Sequence, residues 1–362
     1  MPRTLRIALA TLAVLAVAAA APAFESAEEP LPGSCATFFS DGISGRPTAI
    51  LAAAHGRVWF SEPRENRLGR LDRATGETEE IRLPPGSAPR ALVLAEGRLW
   101  FTSANDRVGS YEPSSGRVEI LRTGIAPGSA PEEAVAPGDG HLYFTQEHAA
   151  RLGRVALDTG EIRELGRGLE AGPGLHGLAA EPEGRYLWAA RRDADALVRF
   201  DVTRQRFDRT VRLPRGSGPH DVVVARDGTL YVVLERSGRL AEYDPETGTL
   251  RQYRTDLPPS ATPDDRPDAK LVSLALHPAG SVYATSYLHN QIYRLDPADD
   301  RLTLPVCGSP AGGGSHGISV APDGTVWYAD PIGGRVARID EEVDRPVPPP
   351  PAVPRSPGAD GP

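Results

Sequence analysis

Gly314-Ser-His-Gly-Ile-Ser-Val-Ala-Pro-Asp-Gly-Thr-Val-Trp-Tyr-Ala-Asp330 has the pattern of a β-hairpin. Ile318 and Val320 alternate with small or polar neighbours, Asp323-Gly324 suits a tight turn, and Val326 and Tyr328 resume the period of two. The chain repeats this pattern. Arg46-Pro-Thr-Ala-Ile50 runs to Trp59-Phe60, Pro89-Arg-Ala-Leu92 to Trp100-Phe101, and Pro131-Glu-Glu-Ala134 to Tyr143-Phe144. Leu175-His-Gly-Leu178 runs to Leu187-Trp188, Pro219-His-Asp-Val222 to Tyr231-Val232, and Leu271-Val-Ser-Leu274 to Val282-Tyr283. Aligned on His316, the repeats place Thr48, Arg90, Glu132, His176, His220, Val272 and His316 at one position, spaced 42, 42, 44, 44, 52 and 44 residues apart. A period in the forties with four short strand signals per unit predicts an all-β fold, a seven-bladed β-propeller of four-stranded antiparallel blades.

Outer-strand signals close the first five units: Thr78–Leu83, Val118–Arg122, Glu161–Leu165, Phe207–Leu213 and Thr249–Tyr253. The seventh unit has none after Arg335–Asp340, whereas Cys35-Ala-Thr-Phe-Phe39 is a strand signal that precedes the first blade. Residues 35–39 are therefore expected to complete blade 7 and close the ring. Acidic turns ending in Gly, such as Asp72–Gly76 and Asp244–Gly248, lack the alternating oxygens of a calcium loop and read as structural turns. One aromatic recurs in each second strand (Trp59, Trp100, Tyr143, Trp188, Tyr231, Tyr283, Trp327), which points to packing between blades.

Outside the repeats, Arg3 and Arg6 precede the apolar run Ile7–Ala21, with Ala21-Pro-Ala23 as a cleavage site. That order is a secretory signal over residues 1–23, followed by a leader at 24–34, the propeller at 35–343 and a Pro-rich tail at 344–362. The protein is expected to be secreted or periplasmic, monomeric and without a stable membrane span. Two cysteines in an exported chain suggest a Cys35–Cys307 disulfide. The formal charge is −8, and losing Arg3 and Arg6 makes it −10, which argues against a nucleic-acid partner.

Residues shared by all blades hold the fold, so chemistry is sought where blades differ. The aligned position rings the mouth of the central channel, and three of the chain's eight histidines occupy it. With two-residue turns at Asp139-Gly140 and Asp227-Gly228, Glu132 would face Glu147 and His220 would face Glu235; His316 would face Pro331 beside Asp330. A histidine beside a carboxylate suits a general base, and mixed His and Glu ligands suit a divalent metal, zinc or another. The expected catalytic residues are His316, His220 and Glu235, the metal ligands His176, Glu132 and Glu147, and the substrate contacts Arg90 and Asp330. The ligand expected is a small molecule or peptide. Pro258–Asp268, which makes the one long spacing, is expected to cover the mouth, with Asp264, Asp265 and Asp268 steering a cation or a basic substrate. No nucleophile elbow, phosphate loop, His-Glu-x-x-His or Cys-x-x-Cys motif is present.

Gly56-Arg-Val-Trp-Phe-Ser-Glu62, with Asn66-Arg-Leu-Gly-Arg-Leu71 after it, resembles the repeats of the virginiamycin B lyase (streptogramin lyase) family over residues 35–340. The resemblance implies elimination at an ester bond of a cyclic depsipeptide, with magnesium and a histidine base. It carries the last-blade histidine onto His316, in Ser315-His316-Gly-Ile318. The family's glutamate two residues earlier is Gly314 here, its preceding-blade histidine is Val272, and its last-blade acid falls near Asp330. The alternatives are a metal-dependent hydrolase on another substrate and a non-catalytic binding propeller.

Overall fold

The computed structural model describes residues 36–172, 174–254, 271–287, 291–308, 314 and 316–340. Seven four-stranded antiparallel sheets follow one another around a ring. Blade 1 is Ile50–Ala52, Arg57–Glu62, Arg67–Asp72 and Thr78–Arg82, and the next five blades repeat that order. Blade 7 takes Ile318–Val320, Val326–Asp330 and Arg335–Ile339 from the C-terminal end. Its outermost strand is Ala36–Phe39, with Phe38 opposite Ala337 and Phe39 opposite Val336, so chain from both ends closes the ring. Cys35, Pro258–Asp268 and the two termini lie outside the described residues.

The core is a set of seams. Each blade presents one apolar face to each neighbour, and the buried side chains form seven clusters, one between each adjacent pair. The once-per-blade aromatics belong to these seams: Trp188, Tyr283 and Trp327 are fully buried. Trp327 of blade 7 packs with Ile50, Val58 and Phe60 of blade 1. The turn residues act as expected: Asp72 accepts from the Ala74 amide at 2.9 Å, Asp244 from Glu246 at 2.8 Å, and Gly76 and Gly248 both sit at φ 75°. Among the described residues no helix is long and apolar enough to cross a membrane.

The hairpin register differs from the two-residue turns expected. Ala225 donates to Thr229 and Ala321 to Thr325, leaving three-residue loops that end in Gly228 (φ 88°) and Gly324 (φ 90°). This is the turn with a trailing left-handed glycine, which moves the pairing by one residue. A bulge then moves it by another: Pro219 faces Leu234 while Val222 faces Val232. His220 is therefore not opposite Glu235, which begins a short 3-10 turn (Glu235–Ser237). Glu132 is likewise not opposite Glu147, since Pro131 faces Gln146 and Ala134 faces Phe144. His316 donates its amide to Ala329 at 3.0 Å, so it does not face Pro331.

Candidate functional site

The bulges build the mouth. In blades 2, 3, 5 and 6 the inner strand gains its extra residue at the aligned position, around Arg90, Glu132, His220 and Val272. A bulged residue leaves the ladder, so its side chain is free to turn toward the channel. The neighbouring blades fix the backbone at the aligned position. Gly177 donates to the His220 carbonyl at 2.8 Å and Gly317 to the Thr48 carbonyl at 3.0 Å, while the Thr102 hydroxyl reaches the Glu132 carbonyl. Gly177 is required there by close approach, because a Cβ on it would lie 2.6 Å from the Asp221 Cα.

Glu132, His176 and His220 converge, each offering a ligand atom, with these atoms all within 4.8 Å of one another. His176 is 3% exposed, and its Nδ1 lies 3.1 Å from Glu132 Oε2; neither atom has another hydrogen-bond partner. His220 Nδ1 lies 3.1 Å from the Val272 carbonyl. A carbonyl only accepts, so Nδ1 carries a proton and Nε2 is the nitrogen through which a metal would bind. The two imidazoles are 5.4 Å apart at a tilt of 35°. Burial alone pushes the Glu132 carboxyl up, but the hydrogen bond to His176 and the charges of His176, His220 and Arg90 outweigh it and hold the group down at about 2.

Other residues expected at the site take separate positions. Glu147 pairs with Arg90 at 2.9 Å, and Arg90 lies 3.9 Å from Glu132, so Arg90 links the two glutamates. Glu235 faces Arg192 at 3.3 Å. His316 is half-buried, with Tyr287 edge-on at 5.8 Å. It lines two adjoining hollows of ≈ 370 and ≈ 400 Å³, and both also include Thr48, Glu132, His220 and Val272. Asp330 is fully buried; it accepts from the Gly314 and Gly333 amides at 2.9 and 2.8 Å and from Arg335 at 3.0 Å, and it borders neither hollow. That carboxylate organises the loops at the end of blade 7.

Sequence reasoning passed over Glu133 and Asp221, one step deeper in the channel. Burial pushes the Glu133 carboxyl up to about 8, and the Asp221 charge pushes the same way. Burial raises Asp221 too, although the Leu274 and Val222 amides donate to it at 2.8 Å each. Their place beside the ring position was the available signal, once a bulge is allowed for. A larger hollow of ≈ 1000 Å³ lies on the opposite face, over the meeting of blades 7 and 1, and holds no cluster of metal-ligating groups among the described residues.

The model of the virginiamycin B lyase family matches residues 30–260. The virginiamycin B lyase of Nocardia farcinica (strain IFM 10152) is 28% identical over 234 residues, covering 64% of this chain and 76% of that protein. A catalytically inactive virginiamycin B lyase from Staphylococcus aureus, solved with quinupristin, superposes with a TM-score of 0.72 at 18% identity, covering 84% of this chain and 97% of that one. Hydrazine synthase from Kuenenia stuttgartiensis gives 0.68 at 16% identity, covering 82% and 96%. At such identities the structural likenesses establish the fold alone.

Proposed function

The chain belongs to the virginiamycin B lyase family, and from that membership we propose that it opens a cyclic ester or depsipeptide by elimination at the channel mouth. The observation that carries this reading is the convergence of Glu132, His176 and His220 beside a hollow that His316 also lines. In the elimination a base removes the proton α to a carbonyl, a carbon–carbon double bond forms, and the carbon–oxygen bond of the ester breaks, its electron pair leaving on the carboxylate. His316 is the base, since it borders the hollow but stands outside the trio. Glu132, His176 and His220 would hold a divalent ion. Two imidazoles and one carboxylate suit zinc or a related transition ion better than magnesium, which prefers oxygen ligands. Glu132 Oε2 and His176 Nδ1, which have no partner beyond each other, are the atoms such an ion would satisfy. When bound, it polarises the ester and neutralises the leaving carboxylate. Arg90 positions Glu132 and Glu147, and Arg192 holds Glu235 at the rim.

We read the protein as exported and monomeric, taking a small-molecule or peptide ligand. The test is incubation with a streptogramin B and a panel of lactones, with and without zinc or magnesium, followed by mass spectrometry. Ring opening without change of mass, lost in His316→Ala, supports the lyase. Gain of one water assigns a hydrolase. No turnover in the whole panel refutes the enzymatic reading and leaves a binding propeller.

A further inference from the structure

Blades 1 and 3 build the same corner from different side chains. In blade 3 Gln146 ends the second strand, and its Nε2 donates to Glu164 Oε1 on the outermost strand at 2.8 Å. The Ala126 amide donates to the same oxygen at 2.8 Å, and Arg151 donates to Oε2 at 2.7 Å. In blade 1 Glu80 holds the place of Glu164: the two stand opposite the third-strand glycines Gly69 and Gly153. The Ser44 amide donates to Glu80 Oε1 at 2.6 Å and Arg67 to Oε2 at 2.5 Å. The place of Gln146 falls to Glu62, which ends the second strand of blade 1 and is fully buried.

An ionised Glu62 cannot repeat what Gln146 does. Two carboxylates have only acceptors to offer each other, and no described residue donates to either Glu62 oxygen. A protonated Glu62 has one O–H to give, and Glu80 is within its reach. Glu80 on the outermost strand and Glu65 on the turn both oppose a charge on Glu62; Arg67 on the third strand favours one but is engaged by Glu80 and the Ser44 hydroxyl. Burial first, then Glu80 and Glu65, push the Glu62 carboxyl up to about 7. We propose that Glu62 is held as the neutral acid, donating to Glu80 as Gln146 donates to Glu164, and so acts as a pH latch on the loop joining Ala36–Phe39 to blade 1. Gly45 of that loop lies over the acid so closely that a Cβ on it would be 2.6 Å from Oε1. A buried charge without a partner is strongly destabilising, so ionisation must lift the loop to admit water. The same loop carries Arg46 and Thr48 into the ≈ 400 Å³ hollow at the mouth, which couples the latch to the ligand site.

The test melts the full chain and its Glu62→Gln variant across a range of pH. A raised carboxyl gives stability that is complete below its unfolded value of 4.5 and is lost as pH rises through about 7. Between about pH 5 and 9 the parent's Tm should therefore fall about 5 °C further than that of Glu62→Gln. At the alkaline end the variant should melt above the parent, because blade 1 then has the donor of blade 3. Hydrogen exchange on the parent, corrected for the intrinsic effect of pH, should show the Ser44 amide losing protection over the same interval while the Ala126 amide keeps its own. Parallel melting profiles overturn the proposal. So does a Ser44 amide whose protection in the parent is unchanged across about pH 7, a result that needs no variant to fold.

Discussion

Three glycines show how one missing atom shapes a blade. Phe60, Phe101 and Phe144 on second strands face Gly69, Gly109 and Gly153 on third strands. A Cβ at these glycines would fall 1.9, 2.2 and 1.9 Å from a ring carbon. None of the three has positive φ, so glycine is needed for space rather than for backbone freedom. The ring lies over its partner's backbone and fills the seam to the preceding blade. Gly69→Ala is therefore expected to cost about 1–3 kcal/mol through overpacking, measured by urea unfolding. Phe60→Leu in the same chain should recover part of that loss. Gly166→Ala, whose nearest neighbour would be 3.4 Å away, is the control and should move stability by less than about 0.5 kcal/mol.

Among the elements, the strand Ala36–Phe39 has the largest consequence for its length. It covers the edge of Arg335–Ile339 and places Phe38, 1% exposed, in the seam between blades 6 and 7 with Tyr283 and Tyr328. The Arg335 guanidinium lies 4.3 Å above the Phe38 ring. Phe38→Ala should cost about 3–5 kcal/mol, read from the urea midpoint. Deleting residues 36–39 should lower Tm further and promote association through the uncovered edge, detectable by light scattering. A truncated protein that melts like the parent would show that three strands suffice for blade 7.

For the molecule as a whole, stability depends on every seam, and the seam between blades 7 and 1 joins opposite ends of the chain. Arg73 of blade 1 reaches Asp323 at 2.5 Å and the Thr325 hydroxyl at 3.0 Å, both on blade 7. The Asp323 carboxyl is held down at about 2 from 3.8, first by the Thr325 amide and then by Arg73. A depressed carboxyl stabilises the fold above its unfolded value and loses that contribution as pH falls through its folded value. Melting between pH 7 and about 2 should therefore show an acid loss that is smaller in Asp323→Asn. Equal acid loss in both proteins would rule out this contact as a contributor.

The propeller, its closure from both ends and the packing role of the repeated aromatics were legible in the chain. Each rests on local patterning repeated seven times: alternation, turn glycines and a unit that cannot bury its faces alone. The ring of Arg90, Glu132, His176, His220 and His316 was legible for the same reason. Which of those side chains meet was not. A bulge and a three-residue turn each shift a strand by one position, and a one-residue slip reverses the face that a side chain serves. Only the assembled ring decided that Glu132 meets His176 and His220 from three blades, that Glu147 turns to Arg90, and that Asp330 serves its own loop. Contacts between blades depend on how strands curve around the axis, and that curvature arises from all seven seams at once.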